Sequence, residues 1–141
     1  MKNNLIISGS HDETVQAWNM ERHEKVWQSD HGDKIYSVIL RDEQVITCCF
    51  DKAVRVFSLQ SGKKLHRLEH PGPCYNADLS PNKILLAVAC DSAVVLWDIR
   101  NTVKIEQFDL GSKIYDLRFN QSGDKLVVGL YEGEVYKIEL Q

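Results

Sequence analysis

LLAVACDSAVVLWDIR, residues 85–100, decides the fold. It sets small residues before a turn aspartate, Asp91, a β-branched pair after it, and Trp97-Asp98 near its end. Its central part, CDSAVVLWD at 90–98, recurs as HDETVQAWN at 11–19, as FDKAVRVFS at 50–58, and as a faded copy, YEGEVYKIE, at 131–139. Asp12, Asp51, Asp91 and Glu132 hold one position at intervals of 39, 40 and 41 residues. Trp18, Phe57, Trp97 and Ile138 hold the position six residues later. A period of that length belongs to stacked supersecondary units. Such an array is expected to be a platform for partners rather than a catalyst.

A second register runs through the same units. Ile35-Tyr36, Cys74-Tyr75 and Ile114-Tyr115 each place their tyrosine 24 residues after the preceding acid. The next acid follows Tyr36 by 15 residues, Tyr75 by 16 and Tyr115 by 17. All length variation is therefore expected in one loop per unit. That loop reads RDEQ at 41–44, SPNK at 80–83 and NQSGDK at 120–125, which is turn chemistry.

No segment keeps an apolar period of 3.6 for the length a helix requires. Short β-rich runs appear instead, among them LIISG, IYSVIL, VITCC, VRVFS, LLAVA and VVLWD, with turn signals between them. Fourteen such runs predict an all-β array of short antiparallel strands. Lettered from the tyrosine-bearing strand, they read b-c-d, a-b-c-d, a-b-c-d, a-b-c.

The bulk composition narrows the function classes. At 141 residues the chain is one domain in length, with 43% hydrophobic and 26% charged residues. A formal net charge of −3 supplies no basic field for phosphates, so no nucleic-acid partner is expected. No apolar run approaches the ~20 residues of a membrane helix, and MKNNLIISGS is a weak match to a secretory signal. No membrane partner is expected, and the compartment is expected to be cytoplasmic or nuclear. Cys48 and Cys49 are adjacent, so their side chains point to opposite faces of a strand, and Cys74 and Cys90 stand alone. With no C-x-x-C pair and no matching histidine spacing, free buried thiols are expected, with no metal and no cofactor.

Along essentially its whole length the chain resembles the WD-repeat β-propellers, most closely in LLAVACDSAVVLWDIR. His31 and His70 lie four residues before Ile35 and Cys74, where that family places the histidine of its Gly-His dipeptide. Asp30 and Glu69 replace the glycine, and Leu110 replaces the histidine of the fourth unit. The resemblance implies four-stranded antiparallel blades in an incomplete, open ring. Blade one would be strands b-c-d over 4–29, blade two 34–68, blade three 73–108, and blade four strands a-b-c over 113–140.

It also implies a polar chain within each blade: loop histidine, strand-b hydroxyl, turn aspartate and strand-c tryptophan. Blade two offers His31, Thr47 and Asp51, with Phe57 unable to donate. Blade three offers His70, Asp91 and Trp97, with Ala87 in place of the hydroxyl. Blade one keeps Ser8, Asp12 and Trp18, and blade four only Glu132. Ser10-His11-Asp12 spells the members of a hydrolytic triad, but neighbours in a strand-turn diverge and cannot form a relay. No enzyme activity is expected.

Two columns are candidates for a partner-binding face. The first is Tyr36, Tyr75 and Tyr115, which in similar propellers borders the central opening. They form either an aromatic collar for a peptide or an inter-blade packing layer. The second immediately precedes the turn acid: His11, Phe50, Cys90 and Tyr131. It either projects from the same face or is covered by the next loop. A third candidate is WDIR, where Trp97, Asp98 and Arg100 resemble the box that docks some WD-repeat proteins on a cullin ligase adaptor.

The expected function is a non-catalytic scaffold for proteins or short peptide motifs. The alternatives are a substrate-recruiting ligase adaptor, or a half-propeller that completes its ring with a second copy. Three and a half blades leave edges for closure, by the remaining blades of a longer chain or by that second copy.

Overall fold

Fourteen strands account for the regular structure: Leu5–Gly9 (β1), Thr14–Asn19 (β2), Glu24–Asp30 (β3), Ile35–Arg41 (β4), Gln44–Cys49 (β5), Ala53–Ser58 (β6), Lys64–Glu69 (β7), Cys74–Leu79 (β8), Leu85–Cys90 (β9), Ala93–Asp98 (β10), Val103–Asp109 (β11), Ile114–Phe119 (β12), Lys125–Leu130 (β13) and Val135–Glu139 (β14). The structure, a computed structural model, describes residues 4–140. Every pairing is antiparallel, in sheets ordered β1-β2-β3, β4-β5-β6-β7, β8-β9-β10-β11 and β12-β13-β14. The fold is all-β, an open row of four propeller-like sheets with no helix among the described residues.

The apolar pattern explains why the sheets stack. In β9 and β10, Leu86, Val88, Cys90, Val95 and Trp97 pack toward the second sheet. Ala87, Ala89, Val94 and Leu96 pack toward the fourth. A strand buried on both faces reads as a continuous apolar run, as LLAVAC and AVVLW do. The second sheet is buried the same way, with Ile46, Cys48, Val54 and Val56 on one face and Val45 and Phe57 on the other. The outer sheets alternate instead: Leu5 and Val15 face inward while Ile6 and Trp18 are exposed, and Leu126 and Val128 face inward while Val127 is exposed.

Strands β4, β8 and β12 each carry a bulge at the repeated tyrosine. Ile35 opposes Cys49 and Ser37 opposes Cys48, which leaves Tyr36 as the extra residue. Tyr75 and Tyr115 are left over in the same way at Cys74/Asn76 and Ile114/Asp116. A bulge re-aims the residue it ejects.

One expectation about the frame is corrected here. The a–b loop does not hold all the length variation. Cys90 pairs with Cys74 as Cys49 pairs with Ile35, yet Cys90 reaches Ala93 one residue sooner than Cys49 reaches Ala53. The b–c turn of the third sheet is thus one residue shorter. Its left-handed residue is Asp91 itself (φ 57), whereas the other turns use the residue after the acid, Glu13 (φ 77), Lys52 (φ 74) and Gly133 (φ 95).

Candidate partner-binding face

The bulged tyrosines and the residues before the turn acids come together at one end of the sheets. His11 meets Tyr36 edge-on at 5.3 Å, Tyr36 lies 6.0 Å from Phe50, and Tyr36 lies 4.9 Å from Tyr75. Tyr131 meets Tyr115 edge-on at 5.1 Å. Lys113 joins the two groups, its Nζ 4.5 Å from the centre of the Tyr75 ring and 5.0 Å from that of Tyr131. The row therefore crosses all four sheets. Tyr115 is 67% exposed, Tyr131 61% and Phe50 41%, so these rings face outward, while Tyr75 is half-buried.

Lys113 was not singled out from the sequence. The signal that could have found it is the triplet Lys34-Ile35-Tyr36, repeated as Lys113-Ile114-Tyr115. Cys90 does not join the row. The short turn places it at the strand end, buried under Gly72, where Phe50 and Tyr131 project.

The polar chain forms in parts. His31 Nε2 lies 2.8 Å from Thr47 Oγ1. Asp51 takes both terminal guanidinium nitrogens of Arg55 and the Ala53 N–H. Burial opposes the Asp51 charge, but the Arg55 and Cys49 hydrogen bonds, the Ala53 amide and the Arg55 charge together outweigh it and hold the carboxyl below its ordinary value. Arg55 is 3% exposed, a buried guanidinium tolerated because its partner sits four residues before it. In the third sheet the Trp97 indole N–H donates to His70 Nε2 at 3.0 Å. Burial pushes His31 and His70 both down to about 4.

Asp91 does not join the chain: among the described residues its side chain makes no hydrogen bond to His70 or Trp97, and it sits exposed in the shortened turn. Ser8 and Trp18 are not brought together with Asp12 either, because they lie on the face of the first sheet that no described element covers. Asp12 instead takes the Thr14 hydroxyl at 2.7 Å, which holds its carboxyl low. Ser10 Oγ accepts from Asp12 N–H at 3.1 Å, and no bond links it to His11. Among the described residues no cluster of three His, Cys, Asp or Glu is placed to hold a metal, and no helix is long and apolar enough to cross a membrane.

In the WDIR segment Trp97 is turned inward to His70, while Asp98 pairs with Arg100 at 2.9 Å. That hydrogen bond pulls the Asp98 carboxyl down to about 2. Arg100 is exposed.

A family model described as "WD domain, G-beta repeat" matches residues 62–98, the span holding β7 to β10. The chain belongs to the WD-repeat β-propellers. Among WD-repeat relatives it is 26% identical over 128 residues to THO complex subunit 3 of Arabidopsis thaliana, covering 84% of this chain and 41% of that protein. It is 28% identical over 109 residues to small ribosomal subunit protein RACK1 of Drosophila melanogaster, covering 74% and 34%. The chain thus spans less than half the length of these curated relatives. Two solved structures share the fold. The computationally designed Ika4 protein aligns with a TM-score of 0.88 at 20% identity, over 98% of this chain and 86% of that one. The designed Ika8 protein aligns with a TM-score of 0.88 at 21% identity, over 97% of this chain and 43% of that one.

Proposed function

We propose that this WD-repeat chain is a non-catalytic interaction scaffold whose aromatic row receives a short linear segment of a partner protein. The aromatic row from His11 to Tyr115, bridged by Lys113 and exposed at Tyr36, Phe50, Tyr115 and Tyr131, carries the reading. Tyrosine rings supply large, rigid contact area with a hydroxyl to anchor it, at small entropic cost. A soluble surface seldom leaves so many aromatic rings together without use. The relatives, a THO complex subunit and a ribosomal subunit protein by name, are parts of assemblies, which supports protein partners and an intracellular site of action.

The test is selection of short peptides from a displayed random library on the purified chain. Peptides so selected should bind a Tyr36→Ala/Tyr115→Ala/Tyr131→Ala variant at least about tenfold more weakly, as expected when central aromatic anchors are removed. Equal affinity for a folded variant would sink the proposal.

A second reading rests on the outer faces. Ile6, Trp18 and Met20 on the first sheet, and Val127 and Val135 on the fourth, are uncovered large apolar residues. They are the faces on which a further blade would pack, and a second copy of the chain is one source of it. Light scattering decides this: a discrete species of twice the chain mass supports ring completion, and a monodisperse monomer refutes it.

A further inference from the structure

We propose that Cys74 and Cys90 form a hydroperoxide-reactive thiol pair, in which Cys90 attacks the peroxide first and Cys74 closes the disulfide. The two residues are direct partners across the antiparallel strands β8 and β9. Opposed residues in such a ladder stand about 4.5–5.5 Å apart at Cα, inside the roughly 4.4–6.8 Å that a disulfide spans. Both sulfurs converge on one peptide. Gly72 N–H donates to Cys90 Sγ at 3.2 Å, and Gly72 O lies 3.2 Å from Cys90 Sγ and 3.8 Å from Cys74 Sγ. All four cysteines are unbridged.

The environment divides the roles. A hydrogen bond from Cys74, then the Gly72 amide, favours the Cys90 thiolate and draws that group below the ordinary thiol range. The same bond to Cys90, with burial, pushes Cys74 up. Thiolate character is what peroxide selects. Cys90 is buried in the same core cluster as Cys48, but its sulfur touches the half-buried Gly72 of the loop 70–73, whereas burial pushes the Cys48 thiol up.

The chemistry balances with hydrogen peroxide as oxidant. Cys90 sulfur attacks one peroxide oxygen, the O–O bond breaks, and the departing hydroxide takes up a proton to leave as water. Cys74 sulfur then attacks the sulfenic sulfur, the S–O bond breaks, and a second water leaves with the Cys74 proton. Two thiols and one peroxide become one disulfide and two waters. The link forms at the foot of the aromatic row, since Cys74 precedes the bulged Tyr75.

The folded chain is treated with hydrogen peroxide, alkylated, digested and mapped by mass spectrometry. The expected result is a dithiothreitol-sensitive link between the Cys74 and Cys90 peptides, with Cys48 and Cys49 still alkylated after unfolding. Cys74→Ser should stop at a sulfenic acid on Cys90 that dimedone traps, and Cys90→Ser should lose both products. If both thiols survive peroxide in the wild-type chain, or Cys48 or Cys49 oxidises first, the proposal is overturned.

Discussion

Mild acid should destabilise the fold through two histidines. His31 and His70 are held down to about 4 by burial. In the unfolded chain a histidine titrates near 6.5. Between those values the unfolded state binds more protons, so stability is fully present above about 6.5 and falls as pH drops toward about 4. From pH about 7.5 to about 5, each histidine costs about 2 kcal/mol, or about 4 kcal/mol for the pair. That is a large share of the 5–15 kcal/mol typical of a domain (about 0.1 kcal/mol per residue). His70 should dominate for a structural reason. Its Nε2 already accepts the Trp97 indole N–H, and a second proton there would set donor against donor. His31 faces the Thr47 hydroxyl, which can turn to accept instead. Asp12, held low by the Thr14 hydroxyl, and Asp98, pulled down to about 2 by Arg100, titrate below this window.

The assay is urea unfolding followed by tryptophan fluorescence at several pH values. His70→Gln should be less stable than wild type by about 1–3 kcal/mol near neutrality, because the indole donor loses its partner. The variant should lose more than half of the pH dependence, so the two curves converge toward pH about 5. A wild-type stability flat across the window, or a variant that keeps the full slope, would refute the assignment.

Gly62 sits at φ +72 with an added Cβ falling 2.6 Å from the Trp27 ring. Gly62→Ala should therefore cost about 3 kcal/mol, combining left-handed strain and overpacking, and should shift Trp27 emission as its bond to Leu59 O loosens. The Asp51–Arg55 pair is asymmetric, with side chains 21% and 4% exposed. Asp51→Ala should cost about 3–5 kcal/mol by stranding a buried guanidinium, and Arg55→Met clearly less, since Asp51 keeps the Ala53 amide and water. Equal losses in urea unfolding would contradict that ordering.

The fold was legible because two registers agreed. The acid-to-aromatic spacing fixed strands b and c, and apolar runs such as LLAVAC, without alternation, marked the sheets buried on both sides. The shortened third turn was not legible, because Asp91 still precedes Trp97 by six residues, as Asp51 precedes Phe57. The missing residue lies before the acid and is masked by a longer a–b loop. Cys90 was misplaced for that reason. The polar chain was overread in the first sheet, where residue type alone put Ser8 and Trp18 beside Asp12. Those side chains need a neighbouring blade to bury them, and burial is a property of the stack rather than of the unit.

What the tyrosine column concealed is why it makes a rigid surface. The bulge leaves Tyr36, Tyr75 and Tyr115 out of the ladder, and the next residue of each strand ties sideways to the neighbouring blade. Ser37 Oγ donates to Asn76 Oδ1 at 3.2 Å, and Asn76 Nδ2 donates to Asp116. Further along, Asp78 takes Arg41 at 2.7 Å on one side and the Phe119 N–H at 2.9 Å on the other. These are bonds between sheets, nearly one repeat apart in sequence, so no reading of a single unit reveals them. They fix the spacing of the inner strands, and with it the spacing of the rings. In the proposed binding role a partner segment would meet a row whose separations are already set, and most of the ordering cost of binding would fall on the segment.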